Sequence, residues 1–300
     1  MDSVERTAGY PEVVPWGPST INFLIGDKCN AKCLMCWQAL RRRDGIGRGD
    51  GHATPGWWPD LPADVVGTVL LQNVESLYST SFCSFGEPML HPGFGAMMAA
   101  ALDVYGKRGR LRVDLTTNGS LLKANIEPLV RMPGTITVSI DSPDRETYGK
   151  IRRGLNLDWI ATSLAEATGH PAKHHGRTFN INMTVGKYNV GQIVAMSDFA
   201  VSHGVGALAI ILGQSMDRTD AVGQAVDPAD PEARALIAEV RRKYPSLIVT
   251  DYFTTPIRET EPCPYPWHCY DVAPDGQATH AAGPTTPTSV HGTPACGMVR

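Results

Sequence analysis

The chain has 300 residues, 42% of them hydrophobic, a net charge of −3 and a pI of about 6.3. This length can form one large or two modest domains, and the absence of a basic excess argues against nucleic-acid or anionic-membrane partners. No signal peptide is recognised, and no apolar run reaches the ~18 residues of a membrane span. We therefore expect a cytoplasmic protein whose seven cysteines are ligands or reactive thiols rather than disulfides.

The first predicted strand leads directly into a cluster of cysteines. Residues 1–19 are proline-rich and expected to be irregular, and residues 20–26 are typical of a buried strand. Cys29, Cys33 and Cys36 follow in one short loop. A structural zinc site normally has four protein ligands, and an electron-transfer iron–sulfur cluster takes four cysteines. Three cysteines at this spacing predict an inorganic centre with one position open to an exogenous ligand.

Beyond a glycine-rich loop over residues 41–52, interpreted either as a flap over a site or as locally disordered, predicted helices and strands alternate. The further strands are expected at residues 79–85, 111–116, 135–141, 178–185 and 207–212. The helices are expected at residues 62–78, 94–105, 121–130, 156–167, 190–202 and 231–243, with an apolar run at 247–250. Such alternation predicts an α/β fold with a parallel sheet. We expect a partial (β/α)6 TIM-like barrel over residues 20–255, with its chemistry at the C-terminal strand ends.

Polar residues stand at the ends of the predicted second, third and fourth strands. They form the segments 84–88 (SFGEP), 116–119 (TTNG) and 139–141 (SID). Glu87 in the first segment could hold an ammonium group, because a carboxylate accepts strong charge-assisted hydrogen bonds. The Asn-Gly pair in the second is equally typical of a purely structural turn.

Together with the Cys-x3-Cys-x2-Cys loop, these segments resemble the radical S-adenosylmethionine (SAM) enzymes. Residues 146–154 resemble the helix and turn found in the SPASM/twitch branch of this family. The resemblance implies a [4Fe–4S] cluster on the three loop cysteines, with SAM bound to its open iron. It also implies SAM contacts for seven residues: Met35, Glu87, Asn118, Ser139, Asp141, Arg152 and Asn182.

The family pattern suggests a role for most of these residues. Glu87 would hold the SAM amino group, and Arg152 would meet its carboxylate, with Asn182 as a weaker candidate for the same contact. Ser139 and Asp141 would contact the ribose and the carboxylate. The chain departs from the pattern at residue 85, where phenylalanine replaces a glycine, and at residue 35, where methionine replaces an aromatic residue that commonly lies beside the adenine.

The predicted C-terminal region, residues 256–300, contains Cys263, Cys269 and Cys296. Residues 263–276 resemble the opening of a SPASM/twitch auxiliary-cluster domain, which implies that Cys269 and Cys296 are metal ligands. Three thiols are one short of a closed cluster. Either a second iron–sulfur cluster has an unusual ligand, or some of these thiols act chemically. Cys83, on the second predicted strand, is expected to be a small core residue.

The resemblance implies that SAM is cleaved reductively and that the resulting 5′-deoxyadenosyl radical removes hydrogen from a substrate inside the barrel. A thiol that returns hydrogen to the opposite face would give epimerisation, and an auxiliary cluster beside the substrate would give dehydrogenation. The incomplete ligand set favours the thiol, with Cys263 as the first choice of donor. The chain looks most similar to aminoglycoside-modifying members of the family, such as neomycin C epimerase and the 2-deoxy-scyllo-inosamine dehydrogenases.

The expected partners are a small polar substrate and a flavodoxin or ferredoxin-type electron donor. Asp114, Asp217 and Asp251 lie near strand ends and could meet a cationic substrate, or they could form a solvated rim. Peptide modification is an alternative, in which the loop at 41–52 would hold a leader peptide. A second alternative is an iron–sulfur electron carrier, which would use the cysteines but would not need Glu87, Ser139 or Asp141.

Overall fold

A computed structural model describes residues 17–36, 59–212, 221–251, 269–273 and 278–280. Three residues with predicted roles lie outside these ranges: Cys263, Cys296 and Asp217. The glycine-rich loop at 41–52 and most of the segment 1–19 also lie outside them. The hypotheses that depend on these residues stay predictions.

Nine strands form one sheet within the described ranges. They are β1 (Thr20–Leu24), β2 (Ser79–Cys83), β3 (Arg112–Thr117), β4 (Gly134–Ser139), β5 (Arg177–Val185), β6 (Ala207–Leu212), β7 (Ile248–Asp251), β8 (Cys269–Val272) and β9 (Ala278–His280). Their order is β7-β6-β5-β4-β3-β2-β1-β8-β9, and only the β8–β9 pair is antiparallel. The sheet is open, because β7 and β9 are its two edges. This confirms the predicted partial α/β barrel, which β7, β8 and β9 extend beyond six strands.

Seven α-helices connect or follow the strands in the described part of the chain. They are α1 (Ala63–Gln72), α2 (Phe94–Arg108), α3 (Ile126–Val130), α4 (Arg145–Ile151), α5 (Leu157–Thr168), α6 (Ile193–Ser202) and α7 (Pro231–Lys243). Polar side chains fix several helix starts: Asn156 accepts the Trp159 amide at the start of α5, and Asp230 accepts the Ala233 amide in α7.

Three helices are shorter than the sequence pattern predicts. The helix predicted over 190–202 begins only at Ile193. The helix predicted over 62–78 ends at Gln72, and Asn73 caps it by donating both its backbone amide and its side-chain amide to the carbonyl of Val69. The helix predicted over 121–130 begins only at Ile126, after a 3₁₀ turn. Pro128 has no amide hydrogen and is accommodated in the first turn of such a helix.

The two faces of the sheet differ in polarity. Apolar strand residues such as Phe23 and Phe82 are buried against the helices, and the Phe82 ring lies 6.2 Å from that of Phe94 in α2. Strands covered on both faces are normally apolar throughout. Here the alternate positions are polar and half-buried, as at Asn22, Ser81 and Asn180. The face opposite the helices is therefore suited to line a site. No described helix has the length and apolar character of a membrane span.

Candidate active site

The loop after β1 is hydrogen-bonded to the end of α4. Lys32 donates its amide to the carbonyl of Arg153 (2.9 Å), and Leu34 donates to that of Ile151 (2.8 Å). The loop carries the three predicted cluster ligands: Cys29, Cys33 and Cys36. The second cysteine is buried and the other two are half-buried, and none is in a disulfide within the described residues. All three thiols therefore lie at the C-terminal edge of the sheet.

Glu87 joins the end of β2 to the end of β3. One carboxylate oxygen accepts hydrogen bonds from the Thr117 hydroxyl (2.8 Å) and the Met89 amide (3.2 Å), and the other accepts the Asn118 amide (2.7 Å). The residue is only 2% exposed, and burial raises the pKa of Glu87 to about 7 although these hydrogen bonds oppose the shift. The predicted contact with the SAM amino group stays a prediction, because the chain itself supplies three donors to this carboxylate.

The glycine before Glu87 allows its turn to lie directly on the cysteine loop. A Cβ atom at Gly86 would lie 2.0 Å from the carbonyl oxygen of Lys28, a carbonyl that also accepts the Glu87 amide at 2.8 Å. The amide of Phe85 donates to Gly26 (3.0 Å). The departure from the family pattern at residue 85 thus leaves this backbone hydrogen-bonded to the end of β1.

Asn118 connects the third strand end to the cysteine loop. Its side-chain amide donates to Asn30 Oδ1 (2.9 Å), and its oxygen accepts the Ser120 amide (2.9 Å). Asn30 in turn donates to the Ser120 hydroxyl (2.9 Å). This closed set of hydrogen bonds supports the structural interpretation of the turn and holds the loop between the first two cysteines. A SAM contact by Asn118 stays a prediction.

Asp141 and Arg152 form a buried ion pair beside the second cysteine. Arg152 donates from Nε to Asp141 Oδ2 (2.5 Å) and from Nη2 to Oδ1 (3.1 Å), and the Thr184 amide donates to the same Oδ1 (2.8 Å). Arg152 Nη1 lies 3.6 Å from Cys33 Sγ. Burial alone would lower the pKa of Arg152, but the Asp141 carboxylate and Cys33 raise it above its usual value. Asp141 therefore orients a cation toward the cysteine loop, and its predicted contact with SAM stays a prediction.

Ser139 and Asn182 lie side by side, because they are paired in the register of β4 and β5. Both are half-buried on the polar face, and neither side chain has a hydrogen-bond partner among the described residues. These two predicted SAM contacts thus have polar atoms available to a ligand, unlike the oxygens of Glu87 and Asp141.

The Radical SAM superfamily model matches residues 23–200, more than half of the chain. The chain belongs to the radical SAM superfamily. Membership, together with solved structures of similar fold that contain bound SAM, implies a [4Fe–4S] cluster and SAM as cofactors.

Two curated relatives match shorter stretches of this radical SAM protein. It is 29% identical over 121 residues to GTP 3′,8-cyclase of Rhodobacter capsulatus, covering 39% of this chain and 35% of the relative. It is 27% identical over 144 residues to a probable GTP 3′,8-cyclase of Methanococcus maripaludis, covering 48% and 43%. The chain thus spans less than half the length of these relatives.

Solved structures with little sequence similarity share the fold. SuiB of Streptococcus suis bound to SAM has a TM-score of 0.65 at 16% identity, covering 90% of this chain and 62% of SuiB. The protein anSMEcpe with bound AdoMet has a TM-score of 0.60 at 15% identity, covering 88% and 74%. These matches support the radical SAM fold and leave the substrate of this chain open.

The cysteine loop fits the cluster that the superfamily implies. Burial, with smaller contributions from Cys33 and Cys36, raises the pKa of Cys29 to about 12. Iron supplies the positive charge that three adjacent thiolates require. Among the described residues, no three His, Cys, Asp or Glu side chains are placed to hold a single metal ion, so the loop is better suited to a multi-iron cluster than to a mononuclear site. These cysteines would hold three iron atoms and leave the fourth for SAM.

Two further predicted site residues lie apart from these contacts. Met35 is half-buried in the cysteine loop, and its position beside adenine stays a prediction. Cys269 begins β8 and is 2% exposed, with the Asn22 side-chain amide 3.4 Å from its sulfur. Its proposed co-ligands, Cys263 and Cys296, lie outside the described residues. The second cluster therefore stays a prediction.

The polar face also carries a hydrogen-bonded row deeper in the barrel. Asn22 donates to Asp271 Oδ1 (2.9 Å) and accepts from the Ser81 hydroxyl (2.5 Å). The Ser81 hydroxyl is also 3.3 Å from the sulfur of Cys83. Cys83 is half-buried on this face rather than in the apolar core that we predicted for it, because it alternates with Phe82 along β2. Burial raises the pKa of Cys83, which favours a protonated thiol.

Two asparagines that organise the site were missed by the sequence reasoning. One is Asn30, within the cysteine motif. The other is Asn189, whose amide donates to the backbone carbonyls of Asp141 (2.7 Å) and Thr184 (3.0 Å) and whose oxygen accepts the Gly186 amide (2.8 Å). Asparagine in a loop just after a strand is a recognisable signal, because its side chain readily binds nearby backbone groups.

Proposed function

We propose that this radical SAM enzyme epimerises one carbon of a small cationic, sugar-like substrate of the aminoglycoside type, with a cysteine as hydrogen donor. When bound, the cluster and SAM supply a 5′-deoxyadenosyl radical. The residues of this chain bind and orient the substrate, exclude water and return a hydrogen atom.

The observation that carries the proposal is the composition of the polar face of the sheet, the inner face that lies opposite the helices. Asp114 and Asp271 are both half-buried on this face. Asp114 accepts hydrogen bonds from the Ser79 hydroxyl (3.1 Å) and the Thr135 amide (2.6 Å), which hold its carboxylate in place. Two fixed carboxylates favour an amine-bearing substrate, because partial burial strengthens their attraction to a cation.

The other acidic residues predicted near strand ends do not strengthen this case. Asp251 is fully buried and bonded to Arg241, so it does not offer an open carboxylate to a substrate. Asp217 lies outside the described residues.

The hydrogen donor remains the C-terminal thiol Cys263 in this proposal. The substrate carbon would lose one hydrogen atom, recovered in 5′-deoxyadenosine, and the S–H of Cys263 would then give its hydrogen atom to the opposite face of that carbon. The thiyl radical left on the protein regains its hydrogen as one electron and one proton. One electron also cleaves SAM, so each turnover consumes two electrons, which a flavodoxin or ferredoxin-type protein would deliver.

A purine triphosphate is the weaker substrate candidate. The two curated relatives are described as GTP 3′,8-cyclases, but they share only part of their length with this chain. The carboxylates of Asp114 and Asp271 would repel phosphate groups placed against the inner face of the sheet. SuiB was solved with a precursor peptide, which keeps peptide modification as a further candidate to test.

The test is an anaerobic incubation of the cluster-loaded enzyme with SAM and a reductant in deuterated water. Aminoglycosides, GTP and a peptide mixture serve as parallel substrates. We expect 5′-deoxyadenosine to carry the substrate's hydrogen and an aminoglycoside product to carry one solvent deuterium at an inverted carbon. A carbonyl product without deuterium would instead indicate dehydrogenation, and turnover of GTP alone would overturn the substrate assignment.

Two cysteine variants locate the donor. Cys263→Ala should consume SAM but lose inversion, whereas Cys83→Ala should retain it. The opposite result would transfer the donor role to Cys83 on β2. Loss of iron from Cys263→Ala would instead identify Cys263 as a ligand of a second cluster.

A further inference from the structure

Two buried tyrosine hydroxyls near the cysteine loop have no hydrogen-bond partner within the described residues. They belong to Tyr148 in α4 and to Tyr188 in the loop after β5. Tyr148 is 1% exposed. Leaving a buried hydroxyl without a partner is destabilising, so such groups generally have an acceptor in the functional state.

Tyr148 lies on the same side of α4 as Arg152. The two are four residues apart, and the Arg152 amide donates to the Tyr148 carbonyl (2.7 Å), which closes the last helical turn. The end of the same helix carries the carbonyl of Ile151, which accepts the amide of Leu34 in the cysteine loop. The Tyr148 side chain is therefore placed where α4 meets the cysteines.

Tyr188 approaches the same region from β5. Its ring packs on Gly186, where an added Cβ atom would lie 2.7 Å from the ring. The next residue, Asn189, donates to the backbone carbonyl of Asp141 and so fixes this loop to the Asp141–Arg152 pair.

The same three groups influence the pKa values of the two phenols. Burial is the main reason that the pKa of each phenol is raised. Asp141 and Cys33 raise both values further, whereas Arg152 lowers them. Both hydroxyls therefore lie within electrostatic reach of the same three groups.

We propose that, when the cluster is bound, Tyr148 and Tyr188 donate hydrogen bonds to its sulfur atoms on the side that faces Arg152, and thereby raise its reduction potential. Arg152 Nη1 already lies 3.6 Å from Cys33 Sγ. Hydrogen bonds to cluster sulfurs stabilise the reduced form, because reduction adds negative charge to the iron and sulfur atoms.

This inference rests on the cluster and does not depend on the substrate. It is tested in the cluster-loaded protein by redox titration of the [4Fe–4S] signal by electron paramagnetic resonance, without SAM. Tyr148→Phe and Tyr188→Phe keep the rings and remove only the hydroxyls. We expect each variant to be harder to reduce, and the double variant to shift the reduction equilibrium roughly tenfold, which corresponds to about 59 mV for one electron.

Tyr105→Phe is the matched control. The Tyr105 hydroxyl is 2.8 Å from His174 Nε2, a partner outside the cysteine site, so the cluster potential should not change. Iron content and the unfolding transition of every variant establish that the cluster and the fold are retained. If one tyrosine variant loses iron, the other decides the result.

Three outcomes would overturn the inference. Unchanged potentials without SAM, combined with weaker SAM binding, would assign the hydroxyls to the SAM carboxylate. Unchanged potential and unchanged SAM affinity would show that the hydroxyls act on neither group. A less negative potential in the Phe variants would contradict the direction of the proposed effect.

Discussion

The polar side chains at the strand ends fall into two sets that differ in whether the chain itself satisfies them. Every carboxylate oxygen of Glu87 and Asp141 accepts at least one hydrogen bond from the protein. Ser139 and Asn182 have no partner within the described residues, although Ser139 is only two residues from Asp141. The first set holds the loops around the cysteines, whereas the second has polar atoms that no described residue binds. Similar family motifs thus have different physical roles.

The largest effect should follow from removing the cluster on which both sets depend. Replacing Cys29, Cys33 and Cys36 together by alanine should abolish the iron of this cluster and all reductive cleavage of SAM, because SAM then has no iron to bind. Iron analysis and chromatography of 5′-deoxyadenosine measure the two losses. Cys83→Ala should retain both. Formation of 5′-deoxyadenosine by the triple variant would contradict the assignment of the site.

Breaking the buried ion pair should produce the next largest change. Asp141→Asn leaves the Arg152 guanidinium, whose side chain is only 12% exposed, without its countercharge. Removing one partner of such a pair costs about 3–5 kcal/mol of the free energy of unfolding. Urea denaturation of the variant measures this loss.

Glu146→Gln is the matched control in α4. It removes an exposed ion pair with Lys150, so the free energy of unfolding should change little. An equally stable Asp141→Asn variant would indicate that this carboxylate belongs with the ligand-binding set.

The fold could be predicted from the sequence because its signals are local. Each predicted strand and helix depends on the period of its own apolar residues, and alternating elements favour a parallel sheet. The strand at Cys269–Val272 was not predicted, because its assignment depends on pairing with β1 across a long sequence separation. The end of α1 was misplaced because the apolar period continues past Asn73, the residue that caps the helix.

The residues of the candidate site could be predicted from the sequence, but most of the contacts between them could not. The cysteine spacing and the strand-end motifs identify the family without structural information. They do not reveal that Asp141 holds Arg152 or that Asn118 holds Asn30, since these contacts join separate segments of the chain. The predicted core position of Cys83 was wrong for a related reason. A strand residue can face the core or the cavity, and the register decides which.

Glu87 offers a test with an intermediate expected effect. If its carboxylate also meets the SAM amino group, Glu87→Gln should weaken SAM binding by roughly ten- to a hundredfold, because a hydrogen bond to a charged group contributes about 1.5–3 kcal/mol. Calorimetry of the cluster-loaded protein measures the affinity, and iron analysis should show an intact cluster. Unchanged affinity would leave Glu87 with the structural role alone.

The raised pKa of Glu87 adds a pH dependence to this test. Its folded-state pKa of about 7 is above the ordinary value of 4.5, so its contribution to stability is present below 4.5 and is lost as the pH rises through 7. The unfolding free energy of the unmodified protein should fall over this range relative to that of Glu87→Gln. SAM affinity should rise over the same range, because the ammonium group favours the ionised carboxylate.

The smallest effect is expected at Ser139 and Asn182, whose side chains have no hydrogen-bond partner among the described residues. Ser139→Ala and Asn182→Ala each remove a neutral hydrogen-bonding group, which contributes about 0.5–1.5 kcal/mol and thus weakens SAM binding by roughly two- to tenfold. Neither variant should lower the free energy of unfolding, because no described residue loses a hydrogen-bond partner. Asn180→Ala, one inward-facing position earlier on β5, should leave SAM affinity unchanged, since this residue lies deeper in the barrel. A loss of stability in Ser139→Ala comparable with that of Asp141→Asn would show that both residues serve to hold the loops.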